Sequence, residues 1–440
     1  MRILLVGDDA VAHAVAEQLA RNCELYALME KPNPGIAKST QQSYVCDFSN
    51  IEAIGGWALR QNIDLVFITA EEALYSGLAD AMQDVGFQIA SPTMAAATIG
   101  SNRVYARNLL RNQVSFSNYH SCKSLGEVKT AIKDFNRVVL KPTIRGDWQA
   151  LRFGDLKEEK TILKNAKALI KQHGSVIIEE RLDGEDFSMQ ALSDGKNISF
   201  FPTTRAAKHS LEGDSGENTE GMGSYSTGKL LPFVSQDDFD SARSMIERTI
   251  AVLRAKGIEY KGAIHTRFII SPKGVKLIDI HSRFDNPEGI NCMGLLKTQF
   301  AEVIKSIADG RLTQLSFSDR PSVVKYAVPI QYPARTKKKT ASEISLDEKR
   351  IWDSGCKYYF DRVERKNGKL LLTDHRAVAV FAMGDTLEEA EQRVTAGLAS
   401  ISGNIRWRKD IATKQYMDKR VKRTSALKES FLYMRPAMKK

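Results

Sequence analysis

Three stretches between Glu179 and Gly289 decide how the chain reads: EERLDGEDFSMQALSDGKN (Glu179 to Asn197), EGDSGENTEGMGSYS (Glu212 to Ser226) and KLIDIHSRFDNPEG (Lys276 to Gly289). The first runs into a hairpin over Ser188 to Pro202 that turns at Asp194-Gly195, and the third ends one over Thr266 to Phe284 that turns at Pro272-Lys273-Gly274. The glycine-rich middle stretch lies between them. Its Gly221 and Gly223 either let backbone approach a ligand or serve a tight turn. Upstream, RVVLKP (Arg137 to Pro142) and SVIIEERL (Ser175 to Leu182) read as strands flanking a helical segment, Lys157 to His173. Nearer the N-terminus, strands at Arg2 to Gly7, Glu24 to Leu28 and Ile63 to Thr69 alternate with helices at Ala10 to Arg21 and from Glu71, a doubly wound α/β pattern. After Gly310 the character changes to a smaller α+β unit. It has strands at Ser322 to Val328, Cys356 to Val363 and Lys369 to Leu372, a helix at Thr386 to Ala399, and a charged loop at Thr336 to Thr340.

The bulk composition is that of a globular protein, with 440 residues of which 42% are hydrophobic and 27% charged. That length suggests roughly two to four domains. No apolar run reaches a membrane span, and Met1 leads straight into RILLVG rather than a signal sequence, so a cytoplasmic location is expected. Five cysteines far apart, without CxxC spacing, predict free thiols and neither disulfides nor a zinc site. The net charge of +11 is concentrated at the end: Asn404 to Lys440 holds twelve Lys/Arg against three Asp/Glu. Lacking interleaved aromatics, this tail predicts a solvated helix face rather than a nucleic-acid site.

The three stretches together, in this order and spacing, resemble phosphoribosylamine-glycine ligase, and its archaeal-looking branch in particular. The likeness extends to NPGIA (Asn33 to Ala37), VVKYAVPIQYP (Val323 to Pro333) and GDTLEEAE (Gly384 to Glu391), and so covers the chain to about Arg420. The resemblance implies an ATP-grasp fold. Its expected parts are an N-terminal doubly wound α/β domain over 1–100, an ATP-grasp domain over 101–320 with a lid at about 115–190, a small C-terminal α+β domain over 321–425, and a basic tail over 426–440. It also implies a reaction in which ATP phosphorylates the carboxylate of glycine and an amine, phosphoribosylamine or a relative, displaces phosphate. Positioning and charge neutralisation dominate such chemistry. The oligomer implied is a monomer or a homodimer.

Residue by residue, the resemblance makes Arg283 the catalytic cation opposite the developing acyl phosphate. Arg103, Lys141, Glu179, Glu180, Leu182, Asp186 and Lys208 become ATP-binding positions, with Lys141 on the phosphates, Glu179 to Leu182 at the adenine and Asp186 at the ribose. Glu71, Asn218, Thr219, Gly221, Met222, Gly223 and Glu288 fall on the substrate side. Lys141 and Arg283 are expected to share one cleft.

Other positions depart from the family pattern. The family's phosphate-binding GGREHA loop is here Gly7-Asp8-Asp9-Ala10-Val11-Ala12-His13; its two aspartates would cap a helix but repel a phosphate, and His13 reads as a helix-surface residue. The family's DGLTGGKGV loop over the ATP phosphates becomes Thr143 to Leu151, with Asp147 in place of a glycine, Gln149 in place of the lysine, and Arg145 as an added cation. Family magnesium (or manganese) ligands, a glutamine, a glutamate and an asparagine, become Arg267, Asp279 and His281. An arginine there opposes a metal, and a histidine suits a softer ion than magnesium. The readings left open are therefore an active ligase, a ligase with a different amine, and a catalytically impaired paralogue that binds nucleotide or anion.

Overall fold

The computed structural model describes residues 1–144, 152–155, 158–334 and 342–434, with side chains left aside at 152–155 and 430–434. The phosphate-loop positions Arg145, Asp147 and Gln149 and the charged loop at 336–340 lie outside the described residues.

The N-terminal region is a parallel five-stranded sheet in the order Gln42–Val45, Glu24–Met29, Arg2–Val6, Leu65–Ile68, Gln88–Ile89. Its central strand is almost wholly apolar because helices cover both faces. The chain reverses direction in the sheet at Arg2–Val6. The turn that follows this strand, Gly7 to Asp9, therefore opens at the crevice where ligands bind in doubly wound sheets.

A ten-stranded, largely antiparallel sheet forms the middle of the molecule. Its main path runs Gly274–His281, Lys261–Ser271, Glu185–Asp194, Thr204–Ala206, Gly223–Ser226, Ser322–Pro329, Val378–Met383, Cys356–Phe360. Both expected hairpins are present, and the strand Arg137–Pro142 has the bounds its sequence predicts. Ser322–Pro329 pairs with Gly223–Ser226 on one side and Val378–Met383 on the other, so one continuous sheet joins the central and C-terminal regions.

Facing the end of this sheet is a four-stranded lid, ordered Tyr119–Cys122, Val176–Glu180, Arg137–Pro142, Arg152–Asp155. It has its own small core with helices Leu125–Ala131 and Glu159–His173, separate from the main core.

The described part of the basic C-terminal segment is solvated on one face only. Helix Lys414–Met434 docks on the central sheet: Arg420 pairs with Asp214, Arg423 pairs with Asp183 and lies 3.0 Å from Glu185, and Lys428 lies 2.5 Å from Asp238. Tyr416, stacked under Arg420, also hydrogen-bonds Asp214. The excess of cations visible in the sequence is thus partly matched by acids far away along the chain.

Candidate functional site

The hairpin register assembles the site. In Lys261–Ser271 and Gly274–His281, His265 stands opposite His281 and Arg267 opposite Asp279. Alternate residues share a face, so these four side chains point the same way, while Thr266 and Phe268 face the core. The next strand adds Ser188 opposite Arg267 and Gln190 opposite His265. Beyond His281 the chain leaves the sheet through Arg283, Asp285 and Asn286 and enters helix Glu288–Leu295. A cavity of about 250 Å³ opens on this face. Its walls include Gly7 to Asp9, Thr69 to Glu72, Arg103, Lys208, Asn218 to Glu220, the four hairpin residues, Arg283, Asp285, Asn286, Asp361, Arg362 and Arg376. All the regions that the sequence implicates, apart from the lid, meet there.

At the middle of the cavity, Arg283 contacts Asp285 at 3.2 Å and Glu71 at 3.5 Å, while Lys208 reaches Asp285 at 3.3 Å and Glu288 at 3.8 Å. His281 Nδ1 lies 3.0 Å from Glu71. Burial by itself would raise the carboxyl pKa of Asp285, but His281, Lys208, His265 and Arg283 outweigh it and hold the group well below the usual carboxylate range. Glu288, wholly buried, is opposed in the same way by burial, yet Lys208 and His265 bring it to about 2. Desolvation works against the charge of the half-buried Arg283, but Glu71, Asp285 and Asp9 together raise its pKa, so it stays a cation.

The positions expected to hold nucleotide are tied to one another. Lys141 is buried, 2.6 Å from Glu179 and 3.2 Å from the Ile278 carbonyl; Arg107 also pairs with Glu179. Burial pushes the Lys141 pKa well below the usual lysine value; Asp279 opposes this, whereas Arg107, Arg103 and Arg267 reinforce it. Arg103 holds Asp279 at 3.2 Å and the Pro142 carbonyl at 2.9 Å. Asp186 is clamped by Arg267 at 2.8 Å and Arg205 at 3.1 Å. Glu180 accepts from Asn118 and pairs with Lys273, and the Arg181 amide that follows it in the hinge donates to the Arg137 carbonyl, leaving Leu182 as the hinge's next residue.

Several expectations are corrected. Lys141 does not line the cavity that Arg283 lines; Arg103 and Asp279 stand between them. Of the glycine-rich stretch, Asn218 and Thr219 line the cavity, but Met222 is wholly buried in the main core. Gly221 takes φ +120 with Pro287 so close that a Cβ would come within 2.6 Å of it, and a Cβ on Gly223 would meet the Val324 carbonyl at 2.3 Å. Both glycines serve chain packing. Glu288 is absent from the cavity wall and instead accepts from Ser188 beneath it. His13 is not on a helix surface: it is 4% exposed, accepts from the Phe360 amide at 2.9 Å, and burial with nearby Lys357 and Lys38 pushes its pKa down to about 3.

The expected magnesium set does not fit the ion. Arg267 is committed to Asp186, Asp279 is held by Arg103, and His281 offers nitrogen where magnesium takes oxygen. The first loop is likewise closed. Asp9 accepts from the Ala12 amide at 2.8 Å, Asp361 accepts from the Ala10 amide at 3.1 Å, and Asp8 pairs with Arg362 at 2.5 Å. Asp361 also holds Arg376 at 3.0 Å.

Sequence reasoning missed His265, Asp285, Asp361, Arg362 and Arg376. The period of two along Lys261–Ser271 could have found His265, since it shares a face with Arg267, and Asp285 lies two residues after Arg283 in the third quoted stretch; nothing local marks the other three. A wider recess of about 1840 Å³ is also lined by Asp8 and Asp361, but Arg283, Lys208 and the hairpin histidines do not line it.

A doubly wound domain, an antiparallel sheet and a separate four-stranded sheet backed by two helices define the ATP-grasp class. In agreement, a solved phosphoribosylamine-glycine ligase from Thermotoga maritima superposes with a TM-score of 0.79 at 21% identity, covering 93% of this chain and 100% of that one. An ADP complex of an N5-carboxyaminoimidazole ribonucleotide synthetase superposes at 0.66 with 15% identity, covering 91% and 97%. Family models for phosphoribosylglycinamide synthetase match as an N domain over 1–100, an ATP-grasp domain over 101–289 and a C domain over 322–414. Phosphoribosylamine-glycine ligases of Methanobrevibacter smithii and Pyrococcus abyssi are 36% and 34% identical, over 96% and 98% of this chain and 98% and 99% of theirs. The chain belongs to the phosphoribosylamine-glycine ligase family.

Proposed function

We propose that this chain is an ATP-dependent ligase that activates a small amino-acid carboxylate, glycine by analogy with its relatives, and joins it to an amine. The observation that carries the reading is the meeting of Arg283, Lys208 and Glu71 around one cavity between the N-terminal and central sheets. A carboxylate oxygen attacks the terminal phosphoryl group of ATP and ADP leaves; Arg283 neutralises the charge on the acyl phosphate. The amine then attacks the acyl carbon, phosphate departs with the bonding electron pair, and the proton that the amine gives up leaves with the phosphate. Glu71, already holding Arg283 and His281, accepts a hydrogen bond from that amine. Because the expected magnesium positions do not fit the ion, none of these steps is assigned to it.

The relatives are named for phosphoribosylamine. In this chain Asp8, Asp9 and Asp361 occupy the helix N-terminus that a sugar phosphate would need, which favours an amine carrying less negative charge. A second reading, a nucleotide- or anion-binding relative without turnover, is favoured by the pairing of Arg103 with Asp279 and of Arg267 with Asp186. We place the protein in the cytoplasm, in keeping with its five free cysteines. The test is ADP release with glycine, alone and with phosphoribosylamine or uncharged-tail amines, across magnesium, manganese and zinc. Release that requires both carboxylate and amine supports the ligase. ATP binding without release under every condition supports the second reading.

A further inference from the structure

On the cavity face of the hairpin, His265 and His281 lie opposite each other with ring centroids 5.2 Å apart, and Asp285 follows four residues after His281. His265 Nδ1 is 3.8 Å from Asp285 Oδ2, and His281 Nδ1 is 3.9 Å from Asp285 Oδ1. One ligand atom from each of the three lies within 4.8 Å of the other two. A second, independent observation singles out His265. It is 1% exposed, yet neither ring nitrogen has a hydrogen-bond partner among the described residues; its Nε2 comes only within 3.6 Å of Glu288. A buried imidazole with both nitrogens unsatisfied is costly unless something else binds it.

We propose that His265, His281 and Asp285 form a binding site for one divalent transition ion of the zinc class. Two imidazoles and a carboxylate suit such an ion, whereas magnesium and calcium prefer all-oxygen sets. Ligand distances of about 2.0–2.2 Å require donors about 3.4 Å apart, so the three side chains draw together by roughly 1 Å on binding. Glu288, beside His265 Nε2, is placed to accept its proton and fix the tautomer that presents Nδ1 to the ion. Lys208 and Arg283 both contact Asp285, and with Glu71 and Glu288 the three acids exceed these two cations by one charge, which a divalent ion displacing one ammonium would offset. The ion therefore takes the place of the Lys208 ammonium on Asp285. This site shares only His281 with the positions that the family resemblance assigns to magnesium, and it does not depend on the ligase reading.

The test uses the full chain, stripped with a chelator and titrated with zinc by calorimetry, in the presence of excess magnesium. The expected result is one zinc per chain, undisturbed by magnesium, with His265→Gln and Asp285→Asn each weakening binding at least about tenfold. X-ray absorption on the zinc-loaded wild type guards against variants that fold poorly, and is expected to show two imidazoles and no sulfur. No stoichiometric binding, binding unchanged in both variants, or a sulfur-ligated ion would each overturn the proposal.

Discussion

The turn after the first strand and the central hairpin both stand where the family resemblance asks for ligand-binding groups, and both have been rebuilt, but in opposite ways. At the turn, the amides of Ala10 and Ala12 are taken by Asp361 and Asp9, and Asp8 is paired with Arg362. Each of these groups has found a partner within the chain. On the hairpin, Arg267 and Asp279 are also paired internally, but two positions away His265 has no hydrogen-bond partner among the described residues and its cavity stays open. Losing a ligand residue can therefore close a subsite or convert it, and only the partners of the replacement tell which has happened.

The most damaging way to break this contrast is to open the closed part of the hairpin. Asp186→Ala leaves the buried Arg205 and the half-buried Arg267 without their shared carboxylate, and denaturant unfolding should show a loss of about 3 kcal/mol. A loss under about 1 kcal/mol would mean that the clamp is decorative. Next, Arg283→Ala should lower carboxylate-dependent ADP release about 100- to 1,000-fold with the fold retained. Unchanged turnover would remove Arg283 from the chemistry.

Closure of the turn is sharpened by pH. His13 is neutral in the fold with a pKa of about 3 against 6.5 unfolded, so its contribution is complete above pH 6.5 and is lost as pH falls toward 3. Near pH 5 this amounts to roughly 2 kcal/mol of lost stability, read as the difference in pH slope between wild type and His13→Asn. Equal slopes would mean that His13 is not held neutral. The smallest effect expected is from Asp9→Ala, which removes a helix cap and should cost about 1 kcal/mol in thermal unfolding.

The fold was legible because its cues are local. Alternation and glycine turns marked both hairpins, and the apolar run Arg2–Val6 marked a buried parallel strand. The joining of the central and C-terminal regions was not, because Ser322–Pro329 pairs with Gly223–Ser226 about a hundred residues away and no local signal records a partner. The site divided along the same line. Arg283, Lys208, Glu71, Asn218 and Thr219 reached the cavity as the motifs implied. Lys141 did not, because a buried lysine beside Glu179 satisfies its charge there rather than in open space. His13 was misread because a histidine on a helix gives no sign that another region, here Phe360, will cover it. Asp361 and Arg376 were invisible for the same reason: they act through contacts with the first turn and with the backbone of Glu220 and Gly221.

Glycine labelled with heavy oxygen in its carboxylate tests the central claim most directly. With ATP and an accepted amine, an acyl-phosphate ligase transfers one carboxylate oxygen to the phosphate it releases, and mass spectrometry of that phosphate should find the label. Phosphate released without label, or no release with any amine and any divalent ion, would contradict the account.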